Sequence, residues 1–193
     1  MNRHAAKTIS FVDWYYQTVN DGKPVAIAYV NNNATYKTAA HPPADICVNG
    51  LVVATPEEWD KQLEQQRATA APATTTSSGA AAVVTNKPGT ASALTATVRY
   101  EVECYDVHVI NRDYQFAAPA ALLAGANKDD AAGARIMMML TVSGTVTFGS
   151  DRSAVKQHFN DVFILVPNWD AIARHGSRST RRYIISSHTY RAY

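Results

Sequence analysis

The amino-acid sequence predicts an α+β fold, a curved antiparallel sheet with helices packed on one face. The first observation is the order of the signals, because helical periodicity and one hairpin come first and long strand patterns fill the second half. The second is the stretch HFNDVFILVP, where apolar residues occupy both odd and even positions. Since side chains alternate along a strand, both faces of this strand are apolar, and we expect something to cover each.

The first helix is expected over residues 5–20. Val12, Tyr16 and Val19 recur there at helical spacing, and an aromatic stripe lies beside them. After a turn, the segment PVAIAYV predicts a short second helix. These segments supply the helical layer.

A hairpin and a third helix follow. Asn49 and Gly50 lie between apolar pairs and favour a type I′ turn, which needs positive φ at both central residues. Next, Thr55 is a predicted N-cap, Pro56 suits the first helical position, and Glu58 stands at the capping-box position. The sequence therefore predicts a helix directly after the hairpin.

The strands of the second half are expected at residues 97–110 and 135–148, before the two C-terminal strands. The first places Val98, Tyr100, Val102 and Cys104 on one face. The second places Met138 inward and its two methionine neighbours on the opposite face, where they are available to a partner; these are Met137 and Met139.

The 193 residues predict a single domain with two irregular segments. Residues 68–93 are small and hydroxylated and bury too little apolar surface to offset their chain entropy, so we expect a disordered insertion. Residues 111–134 predict a long loop with a helical turn at 119–124.

Composition and charge exclude several classes of protein. The 18 Lys and Arg against 16 Asp and Glu leave a formal charge of +2, so any cationic surface must be local. Cys47 and Cys104 lack metal-ligand spacing, and the histidines lack suitable neighbours, so we predict no metal, no cofactor and no disulfide. Without a signal peptide or a membrane-length apolar run, the sequence predicts a soluble, intracellular protein.

Five short segments identify a resemblance. In order they read FVDWYYQT, VNG, VSGTVTFG, FNDVFIL and SSHTYR. Together they resemble the nuclear transport factor 2-like (NTF2-like) superfamily and, within it, the small subunit of the heterodimeric mRNA export receptor, most closely its fungal form. The resemblance covers most of the chain except residues 68–93 and most of the 111–134 loop.

The resemblance implies a non-enzymatic adaptor that carries ribonucleoprotein through nuclear pores. One sheet face would wrap the helices, and the other would pack on a related domain of the receptor's large subunit. It also implies nucleoporin repeats as partners and a nuclear, pore-associated protein that shuttles to the cytoplasm. The residues expected in the partner interface are Asp161, Phe163, Leu165, Ile185, Ser187, Thr189 and Arg191.

Arg191 has two expected roles. The pair Tyr190-Arg191 matches an aromatic-Arg pair of the family, and in relatives this arginine lies in the dimer interface. Arg191 then either meets a carboxylate of the partner or pairs with Asp161 within the subunit, since neighbouring strands bring diagonal residues close. Asp161 stands where the family usually has Gln.

The basic segment RHGSRSTRR is the local cation cluster of the sequence. It is either a solvated hairpin loop or a weak, sequence-independent RNA contact, because clustered cations bind phosphates without reading bases. The residues expected to contact RNA are Arg174, Arg178, Arg181 and Arg182.

Two rival functions stay open at this point. The NTF2-like fold also carries pocket enzymes of the isomerase and dehydratase type, which need an acid or base aimed into the cone between helices and sheet. Asp106, His108 and His188 are the candidates on strands, and we interpret them as ordinary strand or interface residues, so no catalytic residue is predicted. The second rival is a homodimeric nuclear import carrier.

Overall fold

The computed structural model describes residues 3–70, 98–120, 123, 135–149, 154–173 and 181–193, with side chains from residue 10 onward. The helices are α1 (Arg3–Asn20), α2 (Ala34–Thr38), α3 (Pro56–Ala70) and α4 (Trp169–Ala173), with 3-10 helices at Ala26–Ala28 and Val30–Asn32. The strands are β1 (Asp45–Val48), β2 (Leu51–Val53), β3 (Val98–Asn111), β4 (Met137–Phe148), β5 (Val155–Pro167) and β6 (Tyr183–Ala192).

The strands form one six-stranded sheet in the order β2-β1-β6-β5-β4-β3. The α+β class is confirmed, and all neighbouring strands but one pair run antiparallel. The exception is β1, which lies parallel to β6, so the sheet is mixed rather than antiparallel throughout. No hairpin turn joins these two strands, and the direction of β1 is therefore free of the antiparallel constraint that a tight turn imposes.

Helix α1 confirms the predicted first helix and buries Phe11, Tyr15 and Val19 against the sheet. The segment after it, where a short second helix was expected, forms two short 3-10 helices. The Asp60 carboxylate accepts hydrogen bonds from the N–H groups of Val25 and Ala26, at 2.8 and 3.1 Å. The Asp60 carboxylate thus accepts from N–H groups that have no helical acceptor at the start of the segment. With these donors satisfied, short 3-10 turns are sufficient for the rest of the segment.

The hairpin and the helix after it are confirmed. Asn49 and Gly50 have φ values of 51° and 85°, as a type I′ turn requires. The Thr55 hydroxyl accepts a hydrogen bond from the Glu58 N–H at 3.3 Å. The Glu58 carboxylate accepts from the Ala54 N–H at 3.0 Å, one residue before the expected capping-box donor.

Strand β3 departs from the predicted face pattern at a bulge. Val98 and Tyr100 are buried, as expected. The register shifts between Val102 and Cys104, because Glu103 is an extra residue. Cys104 therefore lies opposite Ser143 on the other face and is exposed, and its predicted place beside Val98 is wrong.

The predicted insertion at 68–93 and the predicted loop at 111–134 lie largely outside the described residues. Residues 68–70 complete α3, and β3 continues to Asn111. Within the second segment, the Leu123 N–H donates to the Pro119 carbonyl at 3.3 Å, which agrees with the expected helical turn. The core lies between α1, α3 and the face of the sheet that these helices cover.

Candidate partner interface

The strand register separates the sheet into two faces, which we call the inner and outer faces. The inner face lies under α1 and α3. On β5 it presents Phe159, Phe163 and Leu165, and on β4 it presents Met138 and Leu140, all at most 1% exposed. This face is the core of the chain itself.

The outer face is formed by rows of residues that the register places side by side across the strands. The first row is Asp45, Ser187, Ile164, Met139 and His108. The second row is Val52, Cys47, Thr189, Val162, Thr141 and Asp106. The third row is Arg191, Asn160, Ser143 and Cys104.

The outer face has a neutral centre and a charged margin. Ile164, Val162 and Met139 form the apolar centre and are half-buried in the isolated chain. At the margins, Asp106 and Arg191 are exposed. A charge-depleted centre inside a polar rim is typical of interfaces between protein subunits.

Four of the seven predicted interface residues lie on the inner face. Asp161 is 1% exposed and Phe163, Leu165 and Ile185 are 0% exposed, because α1 and the neighbouring segments cover them. Their expected contact with a partner is therefore wrong. The remaining three, Ser187, Thr189 and Arg191, lie on the outer face.

The two apolar rows of β5 lie on the opposite sides of the sheet from those expected. Val162 and Ile164 belong to the outer face, and Asn160 precedes them on the same face. The available signal was side-chain size, since the inner row carries the phenylalanines, which fill a core beneath aromatic helix residues. Asp161 was expected on the partner face because a carboxylate on a strand normally faces water.

Asp161 is buried within a chain of hydrogen bonds. The Tyr16 hydroxyl donates to Asp161 Oδ2 at 2.6 Å, and His188 Nε2 lies 2.7 Å from Asp161 Oδ1. On the other side of the imidazole, Nδ1 lies 2.8 Å from the Tyr29 hydroxyl. Because a carboxylate oxygen accepts, Nε2 is the donor to Asp161 Oδ1, and Nδ1 is the hydrogen-bond partner of the Tyr29 hydroxyl. We call these four residues the buried network.

Burial raises the pKa of Tyr16 well above its usual value, and the charge of Asp161 and its hydrogen bond raise it further. Burial also raises the pKa of Tyr29. Both tyrosines therefore stay protonated and act as donors at neutral pH.

Within the buried network, Asp161 and His188 are closed to substrate, whereas Tyr16 also lines a groove. Tyr15, Phe163 and Trp59 pack against the His188 ring, with Phe163 stacked at 4.5 Å between ring centroids. The groove that the described residues form between α1 and β3, about 690 Å³ in volume, is not lined by Asp161 or His188. The other candidates, Asp106 and His108, lie on an exposed stretch of β3, where His108 Nε2 is 3.0 Å from Asp106 Oδ2.

The predicted RNA contacts are described in part. Arg181 packs over the Trp14 ring, with its guanidinium carbon 3.8 Å from the ring centroid. Burial lowers the pKa of Arg181. Arg182 is exposed. The other two, Arg174 and Arg178, lie outside the described residues.

Two negative findings hold for the part of the chain that the structure describes. There, no helix has the length and apolar character needed to cross a membrane. The same residues hold no group of three or more His, Cys, Asp or Glu side chains placed to bind a metal ion.

The six-stranded mixed sheet with helices packed on its inner face defines an NTF2-like domain. Solved structures support this class. A chain in the structure of the Chaetomium thermophilum Mex67 NTF2-like domain complexed with Mtr2 shares 50% identity with a TM-score of 0.79, and the match covers 100% of each chain. No family model and no curated protein sequence matches.

Two other structures agree. A structure of Mtr2 shares 49% identity with a TM-score of 0.78, over 97% of this chain and 98% of that chain. A chain in the structure of a Sac3N peptide bound to Mex67:Mtr2 shares 50% identity with a TM-score of 0.79, over 98% and 99%. The chain belongs to the Mtr2 family, the small subunits of the fungal mRNA export receptor. It is a transport-factor subunit and not an enzyme, as the resemblance implied.

Proposed function

We propose that the chain forms a heterodimer with a Mex67-type large subunit, whose NTF2-like domain packs on the outer face, and that the pair exports mRNA from the nucleus. The observation that carries this proposal is the 50% identity, over the whole chain, with a chain from the Mex67 NTF2-like domain complex with Mtr2. The chain is a subunit of a heterodimeric export receptor, and the assignment of the outer face to the partner is the added step.

The chemistry of the outer face supports this assignment. Its centre joins Ile164 and Val162 to the hydroxyls of Thr189, Thr141 and Ser187, none of which is charged. Burying this centre needs no unpaired ion, and aliphatic side chains gain about 25 cal/mol per Å² removed from water. A related sheet, with the same alternation, is a fitting cover.

A charge placed in this centre tests the proposal. We expect Ile164→Arg to weaken binding of the purified Mex67 NTF2-like domain by at least about 2 kcal/mol, or about thirtyfold, because an unpaired cation is desolvated. Ile27→Arg is the matched control, since Ile27 is 60% exposed on a 3-10 helix and belongs to none of the three rows of the outer face. Calorimetric titration of both variants gives the comparison. Unchanged affinity of Ile164→Arg would remove the outer face as the interface.

Arg191 is the second interface prediction. Its side chain lies on the outer face opposite Asn160, whereas Asp161 lies inside, so the alternative pairing with Asp161 is excluded. We propose that Arg191 meets a carboxylate of the large subunit. Arg191→Glu is then expected to abolish the stoichiometric complex, whereas Arg191→Lys retains part of the affinity, because charge reversal opposes the partner's carboxylate. Native mass measurement of the mixed subunits reads this out.

Weak RNA contact by the basic segment extends the proposal. Replacing its four arginines by Ser should flatten the salt dependence of heterodimer binding to unstructured RNA, because fewer phosphate contacts form and fewer counterions are therefore released. A slope equal to that of the unmodified heterodimer means that the segment is merely solvated.

Further partners of the heterodimer are also proposals. The relative bound to a Sac3N peptide supports a peptide of this kind as a ligand of the heterodimer. Nucleoporin repeats, residence at the pore and shuttling to the cytoplasm follow from the resemblance. Fluorescent tagging of the chain at its native level, with and without Ile164→Arg, would show whether localisation at the pore depends on the large subunit.

A further inference from the structure

The sequence of β6 leaves its register undecided at one point. It contains Ile184-Ile185 followed by Ser186-Ser187, so adjacent positions carry the same side chain. In a regular strand the alternation of apolar and polar residues fixes which side faces the core, and a one-residue slip exchanges the two faces. Identical neighbours remove that preference over these four positions.

A β-bulge lies at the same point. Ile164 pairs with Ser187, and the next residue, Leu165, pairs with Ile185, so Ser186 is the extra residue. After the bulge, Ser187 and Thr189 face outward while His188 and Tyr190 face inward. A bulge is held in place only by side chains that distinguish its location from the neighbouring ones.

Moving the bulge three residues along β6, from Ser186 to Thr189, changes the side of few residues. If the extra residue were Thr189, Ser186 would stand opposite Ile164 and Ser187 opposite Phe163. Tyr190 would stay inside, and no apolar side chain would leave the core. His188 would face outward opposite Val162. The inner face would therefore exchange His188 for Ser187, and the outer face would receive an imidazole at its centre.

His188 is the residue that distinguishes the two arrangements. It is 0% exposed, lies 2.7 Å from Asp161 through Nε2 and 2.8 Å from Tyr29 through Nδ1, and stacks on Phe163. Turning it outward would leave Asp161 buried without this donor, and an unsatisfied buried carboxylate is costly. Strand β1 adds no comparable preference, because Ile46 remains inward opposite whichever residue of β6 points inward.

We propose that the buried contact between Asp161 and His188 locates the bulge in β6 and thereby selects the side chains of β6 that reach the outer face. The two residues are positioning residues. They do not contact the partner, but they alternate along their strands with Val162 and Thr189, which face it. The register part stands on the geometry of this chain alone, and its effect on binding rests on the proposed function.

Cross-linking of paired cysteines reads the register directly. In a background of Cys47→Ser and Cys104→Ser, Ile164→Cys is combined either with Ser187→Cys or with Ser186→Cys, and the chain is mildly oxidised. Directly opposed residues of an antiparallel pair are within the Cα distances that disulfides span, about 4.4–6.8 Å. We call the disulfide between positions 164 and 187 the 187 cross-link, and the disulfide between positions 164 and 186 the 186 cross-link. With the buried network unmodified, we expect the 187 cross-link to form and the 186 cross-link to stay at background yield.

His188→Ser removes the contact with Asp161 that locates the bulge. The 186 cross-link should then rise to a yield comparable with the 187 cross-link. Asp161→Asn is the matched control, because the amide accepts from Tyr16 and donates to the other tautomer of His188, so the 187 cross-link should persist. If His188→Ser gives only the 187 cross-link at full yield, the proposal is overturned. A merely stabilising role would lower the melting temperature without moving the cross-link.

A second variant keeps the test decisive if His188→Ser does not fold. Ser187→His combined with His188→Ser moves the anchor by one residue and keeps the composition. Histidine then faces inward opposite Phe163 only when the bulge has moved, so the cross-link between Ile164→Cys and Ser186→Cys should appear. Its absence in the folded chain contradicts the proposal.

Binding of the Mex67 NTF2-like domain separates this inference from the proposed function. We expect His188→Ser to weaken binding about tenfold or more, because Thr189 leaves its place beside Val162, and Asp161→Asn to bind like the unmodified chain. If Ile164→Arg has no effect on binding, the outer face is not the interface, and the cross-links still decide the register. If Ile164→Arg abolishes binding but the cross-link never moves, the positioning role is wrong alone.

Discussion

The inner and outer faces of the sheet are both apolar, and they differ in how their polar atoms are satisfied. The inner face holds Asp161 and His188 at 1% and 0% exposure, with each polar atom given a partner inside the chain. The outer face holds hydroxyls and aliphatic groups that are half-buried, with Asn160 Nδ2 donating to the Ser143 hydroxyl at 2.9 Å. A face that is complete by itself forms the core, and a neutral face left half-buried is suited to a partner.

The largest difference between the faces should appear when one aromatic ring of the inner face is removed. We expect Phe163→Ala to lower the free energy of unfolding by about 3–5 kcal/mol, because the ring packs on Phe11, Tyr15 and His188 and leaves a cavity. Urea unfolding of the free chain measures this. Val162→Ala, on the next residue but the opposite face, should cost about 1 kcal/mol or less. Equal losses would contradict the separation of the two faces.

A smaller effect is expected at Gly144, where the inner face has no room. A Cβ there would lie 2.1 Å from the Glu101 carbonyl oxygen and 2.9 Å from Phe159 Cε1. Gly144→Ala must therefore shift the backbone of β3, and overpacking of this kind costs about 1–3 kcal/mol. Thr145→Ala on the outer face is the control, with an expected loss within about 1 kcal/mol. Thermal unfolding in parallel compares the two, and a neutral Gly144→Ala would mean that β3 is loosely held.

Alkaline pH should destabilise the inner face through its tyrosines. Burial raises the pKa of Tyr190 to about 12, whereas an unfolded tyrosine titrates near pH 10. Between these values the unfolded chain releases a proton that the folded chain retains, so stability present below pH 10 is lost as pH rises. One tyrosine contributes at most about 1.4 kcal/mol per pH unit.

The free energy of unfolding, measured in urea, falls as the pH rises from 10 to 11. We therefore expect this fall to be about 1 kcal/mol smaller in Tyr190→Phe than in the unmodified chain. Tyr105→Phe is the matched control, because Tyr105 is 40% exposed near the free edge of β3. A slope that is the same in all three proteins would mean that Tyr190 is accessible to hydroxide.

The sequence predicts the elements better than it predicts their faces. The helices Arg3–Asn20 and Pro56–Ala70 and the Asn49-Gly50 hairpin follow from local rules of periodicity, capping and turn geometry. The parallel pairing of β1 with β6 depends on contacts between segments far apart in sequence, and no local pattern encodes it. The register shifts of β3 and β6 are likewise decided by the strands that pair with them.

The partner face was predicted incompletely for a physical reason. Phe163 and Ile164 are equally apolar, and only the aromatic helix residues beneath the sheet show which of them is inside. Asp161 and His188 are polar residues that the fold buries as a pair, with tyrosines from α1 and from the segment after it completing their hydrogen bonds. A sequence pattern cannot show this, because the partners are 27 to 159 residues apart.

The smallest expected effect concerns the hydrogen bond between Asn160 and Ser143 on the outer face. In the free chain the bond is partly exposed, so Ser143→Ala should lower the free energy of unfolding by only about 0.5 kcal/mol, since water replaces the lost acceptor. Once a partner excludes water, the Asn160 amide would be left without that acceptor, and the loss rises to about 1–3 kcal/mol. Ser143→Ala should therefore reduce the free energy of binding to the Mex67 NTF2-like domain by more than it reduces the free energy of unfolding.

The double variant Asn160→Val with Ser143→Ala is the control. It removes both polar groups and should restore much of the affinity, because an interface without water then contains no unpaired polar group. If Ser143→Ala changes unfolding and binding equally, the outer face stays wet at this point and the third row lies outside the interface.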